Sequence, residues 1–404
     1  MIGSLARFAA RTFFREIVIE GRENLPSTGA VLFTPNHPNG LLDPMLMFFL
    51  SPPYELHFVA KASLFKIPIF GSILRSIGAI PVVRKFEAAG LVDYSPFFAK
   101  CAEALAEGGS IVIFPEGRSL PQAYLAPLKT GPARIFLLAR ERGHDVHIVP
   151  IGLNYEQGTT FRSRVLVSIA PPLNASGNNP KHLTNRLNVV LQEHVLQSQT
   201  YQERELMILL EKLSNENADD DFTERFSRLK NFEQGLVSLR KSAPKEIERL
   251  RVLLQRYNRL SREFGVEQIS KDANYVVIII CSILAFPGWI LNFFPYHLCE
   301  LLIRITRKDA SDEATFKVIY SLFLFPLFYV LEGFVIHRFC SFAATLLFAL
   351  LILPASYFTL YCMDWRERRG TIFRKPHAKA VAQLDRLRKR ILLVLNSLAA
   401  LTRS

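Results

Sequence analysis

Residues 275–294 and 340–363 each run without a charged side chain for about the 20 residues that a helix needs to cross a bilayer. A third apolar stretch, 316–334, is interrupted by Lys317 and Glu332. In lipid every backbone polar group must be satisfied internally, so residues 273–364 are expected to form a helical transmembrane region. Prolines at 287, 295, 326 and 354 are expected to kink or divide these helices. The expected arrangement is a hairpin of 316–334 and 340–363, with 275–302 broken at Pro287 and Pro295 and re-entrant or interfacial.

Composition enters here because the net charge is +13. A basic balance suits nucleic acid, an anionic membrane surface or anionic substrates. The apolar stretches decide for the membrane, and no recognisable nucleic-acid module is present, so no nucleic-acid partner is expected. Residues 365–404 form a basic tail with Val381, Leu384, Leu387, Ile391 and Leu395 at helical spacing, expected to lie on anionic headgroups at the cytoplasmic face. Residues 1–17 place Ile2, Leu5, Phe8, Ala9 and Phe13 at helical spacing among Arg7, Arg11 and Arg15. That is the pattern of an amphipathic helix on a membrane surface, or of one packed on a domain. Cys101, Cys281, Cys299, Cys340 and Cys362 show no CxxC pair and no metal-ligand spacing. Reduced thiols in a cytoplasm-facing protein follow, with neither a disulfide framework nor a metal site.

Residues 18–213 read as an α/β domain. Short apolar strands at 30–33, 55–60, 79–83, 110–114, 147–153 and 165–169 alternate with helical patterns at 64–77, 91–107, 129–142 and 181–197. Such alternation indicates a mostly parallel sheet flanked by helices. Residues 214–272 are charged, with leucines and phenylalanines at helical spacing on both sides of Ser242-Ala243-Pro244, and read as a helical hairpin with linkers.

The chemistry-bearing residues follow the strands. The first strand runs into Thr34-Pro35-Asn36-His37-Pro38-Asn39-Gly40-Leu41-Leu42-Asp43-Pro44, which sets His37 and Asp43 in one turn. The third ends at Arg84, and the fourth leads into Phe114-Pro115-Glu116-Gly117-Arg118-Ser119. The fifth carries Val149-Pro150-Ile151-Gly152-Leu153-Asn154-Tyr155. With Lys129-Thr130-Gly131-Pro132-Ala133, these blocks stand in the order of the glycerolipid acyltransferase family, which the chain resembles over about residues 18–172. The chain departs from the common pattern twice. Five residues rather than four separate His37 from Asp43, and the third block has no threonine between Gly117 and Arg118.

The resemblance implies a membrane-bound O-acyltransferase. Its donor would be acyl-CoA or acyl carrier protein, and its acceptor glycerol 3-phosphate, dihydroxyacetone phosphate or lysophosphatidic acid. No cofactor beyond that co-substrate is expected. Removing a hydroxyl proton near pH 7 suits a neutral histidine held by a carboxylate, the roles expected of His37 and Asp43. No G-x-S-x-G elbow is present, so direct attack by the acceptor hydroxyl is expected rather than an acyl-enzyme. A phosphate-bearing acceptor calls for arginines, which Arg84 and Arg118 supply. Glu116 is expected to hold an acceptor hydroxyl or orient an arginine, and Gly117 to allow close backbone approach. Lys61 and Lys129 suit substrate contacts or solvated charges equally. The apolar run 65–70 is expected in the core rather than along an acyl groove. Two other readings are an acyltransferase for a different lysolipid and a catalytically silent membrane scaffold of the same fold. Intact His37, Asp43, Glu116 and Arg118 count against the scaffold.

Overall fold

The structure, a computed structural model, describes residues 1–51, 53–84, 91–120, 122–174, 177–215, 221–264, 275–306, 312–368 and 378–401. It divides into two compact units. The first comprises Met1–Arg204 with Asp221–Ser227 and Asp309–Thr315, and the second comprises Glu205–Asp220, Arg228–Lys308 and Phe316–Ser404.

The first unit runs α1 (Ile2–Phe13), β1 (Glu16–Glu20), β2 (Ala30–Pro35), α2 (Leu42–Met47), β3 (Leu56–Lys61), α3 (Pro68–Ser76), β4 (Ile80–Val82), α4 (Ser95–Ala106), β5 (Ser110–Val112), α5 (Gly131–Glu141), β6 (Val146–Tyr155), β7 (Arg164–Ile169) and α6 (Pro180–His194). The strands lie in the order β1-β7-β6-β2-β5-β3-β4. From β6 to β4 every pairing is parallel, β7 is antiparallel to β6, and β1 runs parallel to β7. The expected mostly parallel α/β sheet is present, with a reversed pair at one edge.

β2 is buried at every position because it lies centrally with helices on both faces. On one face Leu32, Ile111 and Ile148 pack beneath Leu105 of α4, Ile135 of α5 and Leu187 of α6. Proline stands in the first turn of α3, α4, α5 and α6, where its missing N–H costs nothing. The strand β1 was not expected. Its Glu-Ile-Val-Ile-Glu alternation continues from a basic amphipathic helix, and the boundary placed between residues 17 and 18 cuts through it.

The helix α1 is both packed and exposed. Ala6, Ala10 and Phe13 are buried, while Leu5 and Phe8 are each 51% exposed. Arg7 donates to the carbonyls of Phe48 and Ser51, securing the helix over α2. Its C-terminal end is closed by the β6–β7 connection: Arg162, at a φ of 65°, donates from Nη1 to the carbonyls of Arg11 and Thr12. The Arg162 N–H donates to Phe13 O, and Arg15 N–H to Ser163 O.

The second unit is helical: α7 (Tyr201–Ser214), α8 (Phe222–Ser242), α9 (Pro244–Phe264), α10 (Tyr275–Thr306), α11 (Asp312–Phe339), α12 (Phe342–Arg368) and α13 (Ala378–Leu401), the first turns of α7, α8 and α11 counting with the first unit. Residues 216–220 and 265–274 of the expected linkers, and 369–377 of the basic tail, lie outside the described residues. Leu206 and Leu210 of α7, Leu239 of α8, Leu250 and Leu254 of α9 and Ile391, Val394 and Leu398 of α13 form one core. This corrects the expectation for the tail. Its apolar stripe is buried in protein and is not free to lie on headgroups.

The segments Ile279–Thr306, Glu313–Phe339 and Phe342–Trp365 are helices long and apolar enough to cross a membrane. A second correction concerns α10, which stays continuous through Pro287 and Pro295 rather than breaking there. It pairs antiparallel with α12. Thr359 Oγ1 donates to Ala285 O, and a Cβ built on Gly288 would run into Ala355 O and Thr359 Oγ1. α11 joins them through Tyr329, whose hydroxyl donates to Asn292 Oδ1 while Asn292 Nδ2 donates to Ser356 Oγ.

Candidate active site

Parallel strands put all their C-terminal ends at one edge of the sheet, where ligand-binding loops of α/β proteins gather. Pro35, Val112, Lys61, Val82 and Tyr155 end the five parallel strands at that edge, so the motif loops following them meet there. Two residues beyond β2 stands His37.

His37 Nδ1 lies 2.7 Å from Asp43 Oδ2. The extra residue of the five-residue spacing is absorbed because the chain turns at Asn39-Gly40-Leu41 and enters α2, which carries Asp43 in its first turn. Asp43 is fully buried, and His37 keeps 15% of its side chain exposed. An ionised carboxylate can only accept, so Nδ1 carries the proton and Nε2 presents its lone pair. No serine or cysteine hydrogen-bonds to His37 among the described residues, and Nε2 has no protein partner there. Phe114 stacks on the imidazole with ring centroids 3.9 Å apart and planes 19° from parallel.

The loop carrying His37 is fixed on several sides. Glu116 Oε1 accepts the His37 N–H at 2.7 Å, and its Oε2 accepts the Ala126 N–H. Burial pushes the Glu116 carboxyl up, against these two N–H bonds, which favour the charged form. With both oxygens engaged by backbone, Glu116 stands here as a brace rather than facing an arginine. Ser119 Oγ accepts the Gly40 N–H, Leu120 N–H donates to His37 O, and Leu41 N–H donates to Thr315 Oγ1. Asn36 pairs with the backbone of Leu153 in both directions, extending the β2–β6 ladder by a side chain. Asn39 donates from its amide nitrogen to Gly158 O.

The cations are spread along the edge. Arg118 is exposed, follows the strand next to β2, and has no hydrogen bond or ion pair among the described residues. Lys129 sits beside it, its Cγ 3.4 Å from where a Gly117 Cβ would be. Gly117 has a φ of 76°, so glycine is required by backbone conformation more than by the space around it. Arg84 follows β4, three strands from β2, a lateral separation of about 14 Å at ordinary strand spacing. Lys61 ends β3 between them. The run 65–70 departs from its expected core position: Ile67 and Ile69 are exposed, at 49% and 67%.

Sequence reasoning assigned no role to Tyr155, the last residue of β6. Its hydroxyl donates to Asp43 Oδ1, completing a Tyr–Asp–His chain. The signal available was position: a tyrosine closing a strand hydrogen-bonded to β2 must emerge beside the His37 loop. Cys101 is a free thiol in the core, and burial pushes it up to about 12, which leaves it inert.

A histidine–carboxylate pair thus stands at the carboxyl edge of a mostly parallel sheet, with the exposed Arg118 following the neighbouring strand. Residues 16–154 match the family described as Acyltransferase. That match takes in His37, Asp43, Glu116, Arg118 and Lys129 of the site described above. The chain is similar to the chloroplast 1-acyl-sn-glycerol-3-phosphate acyltransferases of Brassica napus (31% identity, 35% of this chain, 38% of that one) and Arabidopsis thaliana (33%, 35% and 36%). It is also similar to glycerol-3-phosphate O-acyltransferase 1 of Saccharomyces cerevisiae, at 38% identity over 25% of this chain and 14% of that one. The chain thus spans less than two fifths of the length of these relatives. The crystal structure of the 1-acyl-sn-glycerophosphate acyltransferase PlsC from Thermotoga maritima aligns at 20% identity with a TM-score of 0.37, covering 47% of this chain and 77% of that one.

Proposed function

We propose that this protein is a membrane-bound O-acyltransferase that moves a fatty acyl group from acyl-CoA or an acyl carrier protein to the hydroxyl of a glycerol-phosphate acceptor. The observation that carries the reading is the His37–Asp43 pair, with Nδ1 bound to the carboxylate and Nε2 unengaged. The relatives' names support a glycerol-phosphate or acylglycerol-phosphate acceptor.

In this mechanism Nε2 removes the acceptor hydroxyl proton as its oxygen attacks the thioester carbonyl. Asp43 holds the tautomer and stabilises the imidazolium. The tetrahedral intermediate collapses, the C–S bond breaks, and the departing thiolate takes the proton back from His37. Arg118, with Lys129 beside it, binds the acceptor phosphate, and Arg84 engages a more distant anionic group of either substrate. Glu116 holds the His37 loop, and Gly117 sets the turn that presents Arg118. No metal or prosthetic group takes part. The apolar helices hold the enzyme in the membrane with the catalytic unit on the cytoplasmic side, where thioester donors are found. Exposed Ile67 and Ile69 offer an apolar surface suited to an acyl chain.

The test is an assay of the purified full chain with acyl-CoA and, in parallel, glycerol 3-phosphate, dihydroxyacetone phosphate and lysophosphatidic acid. At least one acceptor should be acylated, His37→Ala should lower turnover by about 10²–10⁴-fold, and Arg118→Ala should raise the acceptor KM. Full turnover in His37→Ala would rule out the histidine as base. Acylation of an unphosphorylated lysolipid alone would overturn the acceptor class.

A further inference from the structure

We propose that Tyr155 is a positioning residue of the dyad, its hydroxyl holding Asp43 in the rotamer that meets His37 and thereby setting how strongly the imidazole binds a proton. This deepens the proposed function and rests on it for its catalytic meaning, though the coupling itself is measurable without turnover.

Three donors coordinate Asp43. Oδ2 accepts His37 Nδ1–H at 2.7 Å and the Asn39 N–H at 2.8 Å, and Oδ1 accepts the Tyr155 hydroxyl. A carboxylate has two rotational freedoms, and a bond to each oxygen from a different element removes both. Asn39 belongs to the same loop as His37 and moves with it. Tyr155 belongs to β6, which is hydrogen-bonded to β2 along six residues, so it refers Asp43 to the sheet. The ring of Tyr155 is itself held, with Phe14 at 5.6 Å between centroids.

The electrostatics agree with the geometry. Burial first, and then the charge of Asp43 and the bond to it, hold the Tyr155 hydroxyl well above its ordinary range. Tyr155 therefore keeps its proton throughout the working pH range and acts only as a donor to Asp43. A donor on Oδ1 draws negative charge away from Oδ2 and weakens the pull of the carboxylate on the imidazolium. Without it Asp43 faces His37 with more charge, and the imidazole holds its proton to higher pH. Among the described residues, the titratable groups bonded about His37 are Asp43 from α2, Glu116 from the loop after β5 and, through Asp43, Tyr155 from β6. Glu116 meets the backbone N–H of His37 and feels the charges of both His37 and Asp43, and it is the same in both variants tested below.

Two variants separate this role from packing. Tyr155→Phe removes the hydroxyl and keeps the ring against Phe14, whereas Phe14→Leu disturbs the ring and keeps the hydroxyl. The full chain is treated with diethyl pyrocarbonate between pH 5 and 9, and carbethoxylation of His37 is followed by peptide mass spectrometry. Its midpoint reports the proton affinity of the imidazole whether or not a substrate is known. Tyr155→Phe should move the midpoint upward by about half a pH unit or more, and Phe14→Leu should leave it in place. In the acyl-transfer assay Tyr155→Phe should lower kcat about tenfold, with acceptor KM unchanged. An unmoved midpoint in Tyr155→Phe, or an equal shift in Phe14→Leu, would overturn the assignment. A shifted midpoint in a protein that acylates none of the three acceptors would sustain the coupling and sink the proposed function instead.

Discussion

The sheet unit and the three apolar helices treat apolar and charged groups in opposite ways. In the sheet unit large hydrophobic side chains face inward, and a carboxylate survives burial because it is surrounded by cations. Glu156 receives Arg15, Arg164 and Arg225 at 2.6–3.3 Å. In the helical unit the apolar helices turn their large side chains outward, with Val330, Ile305 and Phe342 70%, 71% and 72% exposed. Their inner contacts include a neutral polar group of Asn292, Tyr329, Ser356 and Thr359. A fold built for water hides oil and pairs its buried charges, and one built for lipid shows oil and hides neutral hydrogen bonds. The segments Ile279–Thr306, Glu313–Phe339 and Phe342–Trp365 show the exposure pattern of the second kind. The helix α13, lying in sequence beyond the apolar helices, again buries its leucines.

That contrast can be strained from either side. The largest effect is expected at Glu156. Burial opposes its charge, but the hydrogen bond and charge of Arg164, with Arg225 and Arg15, bring the carboxyl down to about 2. A depressed carboxyl contributes stability that is present above its unfolded pKa of about 4.3 and is lost as pH falls toward 2. Glu156→Gln should therefore cost on the order of 3 kcal/mol at pH 7. Its difference in Tm from wild type should shrink between about pH 4 and pH 2, and a difference independent of pH would break the charge-pairing account. Next comes Gly288→Val, which forces α10 off the backbone of α12 and should cost about 2 kcal/mol. Thermal unfolding in detergent should show the loss, and an unchanged Tm would deny the close α10–α12 contact. The smallest effect is expected for Asn292→Leu, about 0.6 kcal/mol, because a hydrogen bond between apolar helices has partners to replace it in the unfolded-in-membrane state. A loss as large as that of Glu156→Gln would erase the distinction between the sheet unit and the apolar helices.

The main outline of the sheet unit was legible because its signals are local. Strand-sized apolar runs, the helical patterns between them and the His37, Glu116 and Arg118 loops could each be read without distant partners. What could not be read depended on pairing across the chain. β1 is short and charged at both ends, and only its ladder with β7 identifies it. The bond from Tyr155 to Asp43 joins positions 112 residues apart. The bracing bonds of Glu116 went unread for the same reason, since they come from backbone groups that no side-chain pattern reveals. The stripe on α13 was visible, but an amphipathic helix looks alike whether it meets lipid or protein. Prolines in α10 misled because proline argues against helix in water, whereas in an apolar helix neighbouring groups compensate.

The clasp that Arg162 makes on the last carbonyls of α1 has a consequence for the order in which the protein comes apart. A terminal helix ordinarily frays by itself, and its amides exchange with solvent long before those of the sheet. Here the end of α1 and the β6–β7 hairpin share hydrogen bonds in both directions, so neither opens without the other. The beginning of the chain and its residues some 150 positions later, counted from the separation of Arg162 and Thr12, make one cooperative unit. Loss of the N-terminal helix would strip hydrogen-bond partners from the turn that joins β6 to β7.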